Sequence, residues 1–340
     1  MKHKDQTPTV QDVADAAGVS TATVSRCLNF PDQVAAKTQI KVMGAVERLG
    51  YSPNFGARAM AARRTNTIGA IIPTMANAVF ARGLQAFQEE LLQHGFTMLV
   101  ASTSYQPTQE EEQIRALVAR GADALLLIGY RRDPAIYRFL ETQGVPALIT
   151  WAFDATQTRP SVGFDNALAM EQMAREVITL GHRRLGLISA QMAQNDRAAE
   201  RHLGLCRAMR VAGLDANDLA VVETRYDITD GADVFEAMMR RPNPPTAVFC
   251  GNDVLAVGAL RRARDMGLSV PADVSITGFD DIDLAEVTFP ALTTVHVPHR
   301  EMGKQAARAL AGLVKDGREM APVVLRTRPV LRDTLGPAPQ

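Results

Sequence analysis

Residues 9–29 read TVQDVADAAGVSTATVSRCLN, and this stretch decides how the amino-terminal part of the chain folds. Thr9 can accept a hydrogen bond from the backbone N–H three residues on, and Asp12 suits the positive end of a helix dipole. Gly18 then ends the first helix, because glycine readily takes the left-handed conformation of a helix terminus. Ser20 caps a second helix. The stretch therefore predicts two short helices joined by a tight turn.

A third helix is predicted over Val34–Leu49, with an inward face formed by Ile40, Met43, Val46 and Leu49. Two short helices joined by a glycine turn and supported by a third form a helix-turn-helix pattern. In that motif the first residues of the second helix enter the major groove of DNA, and here these are Thr21, Ala22, Ser25 and Arg26. A small three-helix bundle that contacts another protein is the alternative that the pattern leaves open.

Charge is divided unevenly along a chain whose total is balanced. The 340 residues hold 37 Lys and Arg against 37 Asp and Glu. Residues 1–65 hold nine basic and five acidic side chains, so they are net +4 and residues 66–340 are net −4. The balance excludes a protein that coats nucleic acid nonspecifically, and it leaves room for a local basic contact with DNA.

The cysteines and the apolar runs bear on the compartment. Cys27, Cys206 and Cys250 are widely spaced and odd in number, so they offer neither a disulfide framework nor a CxxC metal pair. The first residues contain no apolar signal segment, and no apolar run approaches the ~18 residues of a membrane span. We therefore expect a cytoplasmic protein without a membrane partner, associated with the nucleoid when it is bound to DNA.

Beyond residue 65 short apolar runs alternate with amphipathic segments, a pattern typical of βαβ units and of an α/β fold with parallel sheets. Strands are predicted at Thr67–Ile72, Phe96–Ala101, Ala124–Ile128, Ala147–Thr150, Arg184–Ser189, Ala220–Thr224, Ala247–Cys250 and Ser275–Phe279. Periodicity leaves open whether the eight units close as one barrel or divide into two open sheets. The Pro-rich tail Gly336–Gln340 is expected to be frayed.

Several motifs together resemble one protein family. The opening stretch, followed by AKT (36–38), ERLGYSPN (47–54) and ARAM (57–60), resembles the DNA-binding head of the LacI/GalR family. The resemblance continues in the family's order over about residues 8–333, through IGAIIP (68–73), TLGHRRLGLIS (179–189), FCGNDVLAVGAL (249–260), PADVSITGFDDIDLA (271–285) and PALTTV (290–295). It implies a helix-turn-helix DNA-binding domain over residues 1–52, a hinge helix and linker over 53–65, and an effector-binding and dimerisation core over 66–340. The core would have two interleaved lobes of doubly wound parallel sheets, like a periplasmic sugar-binding protein.

The resemblance also implies roles for residues of the head. Thr21 and Ala22 fall on the two base-reading positions of the recognition helix, and Arg26 falls on its basic position. Other residues would contact phosphates or support the helix, namely Thr9, Ser20, Thr23, Ser25 and Asn29. The hinge segment would add contacts from Asn54, Ala57, Arg58 and Met60. Met60 stands where the family commonly has a leucine that wedges between base pairs, and packing against the core is its alternative role.

The effector residues implied by the resemblance come from both lobes. They are Phe80, Trp151, Arg201, Tyr226, Asn252 and Asp280. Arg201 suits a carboxylate or a pair of hydroxyls, and Trp151 stands where a relative has a sugar-binding aspartate. Asn252 and Asp280 could instead be helix or turn caps, and Phe80 could be core. SYQPTQEEEQI (104–114) and VGFDN (162–166) are similar to the gluconate-regulator branch, which favours a sugar acid; a phosphorylated or neutral sugar is the alternative.

These observations favour an effector-controlled transcriptional regulator, most often a repressor, that binds a pseudo-palindromic operator as a homodimer. A transporter's binding protein is disfavoured by the basic head and the missing signal segment. A Rossmann-type enzyme is disfavoured because the chain has no GxGxxG after its first strand, no P-loop and no HExxH. We expect no catalysis, no cofactor and no metal site. A cytoplasmic sugar-binding protein without a DNA role, and a co-repressed regulator, are the alternatives kept open.

Overall fold

The computed structural model of the chain describes residues 7–52, 64–75, 78–318 and 320–340. The chain divides into two compact units, Met1–Thr65 and Asn66–Gln340. Each unit has a hydrophobic core of its own, and each is described separately below.

The amino-terminal unit contains the three helices predicted for it. They are α1 (Val10–Ala17), α2 (Thr21–Asn29) and α3 (Ala36–Leu49). Thr9 and Asp12 form a reciprocal capping box, and Ser20 caps α2 by accepting from the backbone N–H of Thr23. Gly18 ends α1 with a φ of +66°. The caps and the turn between α1 and α2 therefore confirm the prediction.

The inward face predicted for α3 is correct for Val46, which is partly buried against the head's core, and wrong for the other three residues. Ile40 is 73% exposed, Met43 is 49% exposed and Leu49 is 36% exposed. The helix instead packs Val42 and Ala45 into a core of small residues that also includes Val13, Ala14, Ala17, Val24 and Cys27. These smaller side chains let α3 lie close to α1, and successive residues of a helix are about 100° apart, so Ile40 and Met43 turn to the surface.

The strands of the second unit are, in chain order, β1 (Thr67–Ile72), β2 (Thr97–Ser102), β3 (Ala124–Ile128), β4 (Ala147–Thr150), β5 (Ser161–Gly163), β6 (Leu185–Ser189), β7 (Ala220–Glu223), β8 (Ala247–Cys250), β9 (Ser275–Thr277), β10 (Thr294–His296), β11 (Val323–Val324) and β12 (Arg328–Val330). Its helices are α4 (Ala78–Gln93), α5 (Pro107–Ala119), α6 (Pro134–Gln143), α7 (Asn166–Thr179), α8 (Asp196–Val211), α9 (Ile228–Met239), α10 (Asp253–Asp265), α11 (Leu284–Val287) and α12 (His299–Asp316). Short 3₁₀ turns lie at Pro31–Gln33 in the head and at Met192–Gln194 and Ala216–Asp218 in this unit.

Two open parallel sheets, and not one barrel, form the core of this unit. The first lobe is built on the sheet β11-β5-β4-β3-β1-β2 and the second lobe on the sheet β7-β6-β8-β9. A two-stranded antiparallel ribbon, β10-β12, forms a small sheet of its own beside the carboxyl end of β9, where the N–H of Asp280 donates to the carbonyl of Val295. Helix α12 packs along α4 and against β3, β4 and β5, so it belongs to the first lobe although it follows the second lobe in sequence. The lobes are therefore interleaved along the chain.

The expected fraying of the carboxyl-terminal tail is wrong. Buried His182 has its Nε2 2.9 Å from the carbonyl oxygen of Gly336, and its Nδ1 3.0 Å from the hydroxyl of Thr246. The N–H of Gly336 donates to the hydroxyl of Ser275, and the N–H of Ala338 donates to the carbonyl of Leu180. A buried imidazole needs hydrogen-bond partners, and the tail supplies one of them.

No helix within the described ranges is both long and apolar enough to cross a membrane.

Candidate nucleic-acid interface and effector cavity

Helix α2 divides its residues between the head's core and its surface. Val24 and Cys27 are buried, whereas Ala22, Ser25 and Arg26 are exposed on the other side of the helix. Thr21 and Thr23 are half-buried. The predicted base-reading positions therefore lie together near the amino-terminal end of one exposed face, the arrangement that a recognition helix needs.

The hydroxyl side chains around α2 serve the local structure. The Thr9 hydroxyl donates to the Asp12 carboxylate over 2.7 Å, and this hydrogen bond together with one from the Thr9 backbone lowers the pKa of Asp12. The oxygens of Ser20 and Thr23 are 2.9 Å apart, and Ser20 also accepts from the Thr23 N–H. These three predicted residues support the helix ends, and the geometry leaves one hydroxyl hydrogen of the Ser20–Thr23 pair for another acceptor.

The remaining predicted DNA contacts cannot be placed. Asn54, Ala57, Arg58 and Met60, and with them the predicted hinge helix, lie outside the described residues, as does the side chain of Asn29.

The structure brings all six predicted effector residues to one cavity between the lobes. Phe80, Trp151, Arg201, Tyr226, Asn252 and Asp280 line this inner cavity together with Val79, Tyr105, Phe164, Asn195 and Arg197. Trp151 directly follows β4, while Asn252 and Asp280 follow β8 and β9, so carboxyl ends of strands from both sheets face the cavity. Crevices at such strand ends are where open α/β sheets bind ligands. The cavity has a volume of about 20 Å³.

Arg201 is held as a buried cation at this cavity. Its Nη1 donates to the side-chain oxygen of Asn166 over 2.8 Å, and its Nη2 donates to the Tyr226 hydroxyl over 2.7 Å. Its guanidinium carbon lies 4.7 Å from the centroid of the Phe279 ring. The Nε of Arg201 is buried without a hydrogen-bond partner among the described residues. The guanidinium is therefore fixed in place while retaining a donor for a ligand.

Arg197 is a second buried cation that the sequence prediction missed. Its Nη1 donates to the Asp196 carboxylate over 2.9 Å and to the carbonyl of Ile128 over 3.3 Å. Burial opposes ionisation of Asp196, but Arg197 and the backbone N–H groups of Tyr130 and Arg131 outweigh it and lower the pKa of Asp196. Arg197 precedes Arg201 by one helical turn in α8, and residues four apart share a helix face. That spacing was the signal available in the sequence.

Asp280 supplies a carboxyl group that holds its proton more tightly than an ordinary aspartic acid. Burial raises the pKa of Asp280 to about 7, against the opposing effect of Arg201 and Arg197. Its backbone has a φ of +104°, which L-residues rarely adopt. It caps no described helix, whereas Asn252 both lines the cavity and caps α10 by accepting from the N–H of Leu255 over 3.0 Å. Capping a helix is therefore one part of the role of Asn252, whereas Asp280 is not the cap of any described helix.

Trp151 presents its ring, and not its N–H, to the cavity. The indole N–H donates to Nδ1 of His299 over 3.2 Å, so the proton of the neutral imidazole is on Nε2, which faces the carbonyl of Asp280 at 3.2 Å. Burial lowers the pKa of His299 to about 4 and keeps the ring neutral. Phe80 meets the Trp151 ring edge-on, with centroids 5.3 Å apart. Both aromatic residues are thus core and cavity wall at once.

Within the described ranges, no group of three or more His, Cys, Asp or Glu side chains is placed to hold a metal ion.

Comparisons with known proteins match both units. Residues 9–54 match the family of bacterial regulatory proteins, lacI family, and residues 174–335 match the periplasmic binding protein-like domain. The HTH-type transcriptional regulator GntR of Escherichia coli K12 is 31% identical over 322 residues, covering 95% of this chain and 96% of that protein.

Two solved structures share the fold over almost the whole chain. A LacI-family transcriptional regulator from Silicibacter pomeroyi superposes with a TM-score of 0.87 at 26% identity, covering 97% of this chain and 99% of that one. The lac repressor dimer bound to operator and the anti-inducer ONPF superposes with a TM-score of 0.85 at 26% identity and the same coverage. Both the sequence and the fold of this chain thus match through head and core, and the chain belongs to the lacI family of bacterial regulatory proteins as a DNA-binding transcriptional regulator.

Proposed function

We propose that the chain is a homodimeric repressor whose affinity for its operator is controlled by a small sugar acid bound in the inner cavity. The observation that carries this proposal is the presence of two buried guanidinium groups, those of Arg197 and Arg201, at one small polar cavity. Buried cations favour a ligand that brings negative charge, and a planar guanidinium fits a carboxylate with two parallel hydrogen bonds.

The other groups at the cavity suit the hydroxyls of a polyol. Asn252 keeps its amide hydrogens, since its oxygen caps α10, and Asp280 offers a carboxyl group that accepts or donates according to its protonation. Phe80 and Trp151 offer apolar faces that suit the C–H groups of a sugar. Mixed donors and acceptors beside aromatic rings are the composition of a specific small-molecule site. The likeness of residues 104–114 and 162–166 to the gluconate-regulator branch favours D-gluconate within this class.

Control of DNA binding follows from linkage between the two sites. If the effector weakens operator binding by some factor, operator weakens effector binding by the same factor. The lac repressor structure is a dimer bound to operator and to a small ligand, and we extend that organisation to this chain. In the recognition helix, Arg26, Thr21 and Ala22 would read base edges, and the supporting hydroxyls would position the helix on phosphates.

Fluorescence anisotropy on DNA from the protein's own promoter region tests this function. We expect specific binding that weakens steeply with salt, because phosphate contacts release counterions. D-gluconate should change the affinity, whereas glucose, which lacks the carboxylate, should not; glucose 6-phosphate tests the phosphorylated alternative. The direction of the change separates an induced from a co-repressed regulator. Absence of salt-dependent, site-specific binding would refute the proposed regulator.

Arg201→Ala should weaken gluconate binding by roughly 10- to 100-fold, the equivalent of about 1.5–3 kcal/mol for a hydrogen bond to a charged group. Operator affinity without effector should stay nearly unchanged, because the residue lies in the effector-binding unit. Arg207→Ala is the matched control, since Arg207 is an exposed arginine of the same helix. Equal loss in both variants, measured by titration calorimetry, would contradict the assignment of Arg201.

A further inference from the structure

Three cavities of the core meet at one side chain. Tyr105 lines the inner cavity together with Arg201 and Asp280. It also lines a cleft of about 330 Å³ in the first lobe, bordered by residues such as Pro107 and Arg132, and a cleft of about 560 Å³ between the lobes, bordered by Gln191 and Thr229. We call these the first-lobe cleft and the interlobe cleft. Tyr105 is common to all three cavities.

The inner cavity is too small for the ligand that its residues suit. A volume of about 20 Å³ accommodates one or two water molecules, whereas small-molecule sites measure roughly 300–1,000 Å³. Each of the two clefts falls within that range. A sugar acid therefore reaches Arg201 only if a wall of the inner cavity moves and joins it to a cleft.

The Tyr105 side chain is packed in place and not tied by hydrogen bonds. Its ring meets that of Tyr226 at a centroid distance of 5.8 Å and an angle of 58°. Among the described residues its hydroxyl has no hydrogen-bond partner, whereas the Tyr226 hydroxyl accepts from Arg201. Burial raises the pKa of Tyr105, so the hydroxyl stays protonated and able to donate to an anion. Of the two facing tyrosines, Tyr105 is therefore the one that can turn without breaking a side-chain hydrogen bond of the described residues.

The backbone that carries Tyr105 is unusual. Ser104 has a φ of +51° and Tyr105 a φ of +59°, two consecutive non-glycine residues in the left-handed region between β2 and α5. Residues other than glycine are held there only by their surroundings, and such strain is common where a segment switches between arrangements. A change of backbone conformation at these two residues would move the Tyr105 ring away from Tyr226.

We propose that Tyr105 is the gate of the effector cavity: its ring closes the inner cavity against the two clefts, and its outward rotation admits a sugar acid to Arg197 and Arg201. This inference rests on the proposed effector function of the cavity. Because Tyr105 is a wall and not an anchor, it controls how fast the ligand enters and leaves more than how tightly it binds.

The gate is tested without any effector through Trp151, the single tryptophan of the chain, which is 3% exposed and lines the cavity. In Tyr105→Ala, the acrylamide quenching constant of Trp151 fluorescence should rise by about threefold or more, since removing the ring leaves the gate open. Tyr105→Phe keeps the ring and should match the natural protein. Phe139→Ala, which deletes a half-buried ring of α6 that stacks on Arg115, controls for general loosening of the lobe.

Stopped-flow mixing with D-gluconate, followed by the same fluorescence, separates a gate from a binding residue. Both rate constants should rise about tenfold in Tyr105→Ala while the dissociation constant changes less than about threefold. Unchanged quenching in Tyr105→Ala, or an equal rise in Phe139→Ala, overturns the gate. If quenching rises as expected but gluconate gives no signal in any variant, the gate stands and the sugar-acid proposal fails.

Discussion

At the scale of single residues, the charge of the effector cavity depends on the protonation of two buried side chains, His299 and Asp280. His299 is neutral and joins Trp151 to the backbone of Asp280. Asp280 itself, with a pKa raised to about 7 by burial, changes charge within the ordinary working range of pH. The net charge of the cavity therefore becomes less positive as pH rises through about 7, because Asp280 loses its proton.

This titration predicts how effector binding depends on pH. A bound carboxylate disfavours the ionised form of Asp280, so binding raises the pKa of Asp280 further and takes up a proton. Affinity for gluconate should be highest below pH 7 and should fall by up to about tenfold per pH unit above it. Asp280→Asn should remove this dependence, as measured by calorimetry in buffers of different ionisation enthalpy. An equally pH-dependent affinity in Asp280→Asn would contradict the assignment.

At the scale of elements, the amino-terminal end of α8 fastens the second lobe to the first. The Asp196 carboxylate accepts from the N–H of Tyr130 and of Arg131, which follow β3 in the first lobe, over 2.5 and 3.2 Å. Arg131 returns two hydrogen bonds to the carbonyls of Met192 and Ala193 in the second lobe. This contact holds the lobes together beside the cavity. Arg197 takes part in the contact through its hydrogen bond to Asp196, and it also lines the cavity.

Asp196→Asn should loosen this contact. The variant leaves Arg197 without its carboxylate partner, so we expect a loss of about 1–3 kcal/mol in the free energy of unfolding by urea. Since its folded pKa is lowered, Asp196 stabilises the fold above its unfolded pKa near 3.8, and that contribution is lost as pH falls through the lower folded value. Asp227→Asn is the control, because Asp227 caps α9 within one lobe and asparagine caps equally well. Equal stability of both variants would count against an interlobe role.

Most elements of the fold could be read from the sequence because long apolar runs and amphipathic helices have strong periodicity. The six predicted effector positions came instead from the resemblance to the LacI/GalR family. Strands β1, β3, β4 and β8 have their predicted bounds. The short strands β5, β10, β11 and β12 were missed, since two or three residues carry no period, and β11 is a strand only because β5 lies beside it. Tyr105 was missed for a related reason, because the cavity depends on how two lobes meet and local sequence does not encode that meeting. Arg197 was indicated in the sequence only by its four-residue spacing from Arg201.

At the scale of the whole molecule, the charge is separated between units. The head carries net +4 and the core net −4, so the attraction to phosphates is confined to the head. The core also exposes apolar side chains on β2, the edge strand of the first sheet, where Leu99 is 38% and Val100 is 36% exposed. Exposed apolar edge strands commonly pair with another chain, which supports the proposed homodimer.

Val100→Lys should therefore weaken self-association. Light scattering should give the mass of two chains for the natural protein at micromolar concentration and a mass near one chain for the variant, because a buried lysine at a symmetric contact meets its own copy. Operator affinity should fall with the dimer, since a single head covers only half of a pseudo-palindromic site. Leu180→Lys is the control, because Leu180 is a similarly exposed apolar residue that lies outside β2. A dimeric Val100→Lys protein would place the dimer contact elsewhere.

The interleaving of the lobes has a consequence for the newborn chain on the ribosome. The head has its own core within residues 7–52 and can fold as soon as it emerges. The first lobe, by contrast, waits for α12 and β11, which are translated after the entire second sheet. At about 5–20 residues per second that delay is on the order of ten seconds. During this interval a folded DNA-binding head is tethered to an incomplete effector unit, so assembly with a second chain must come late in synthesis or after release.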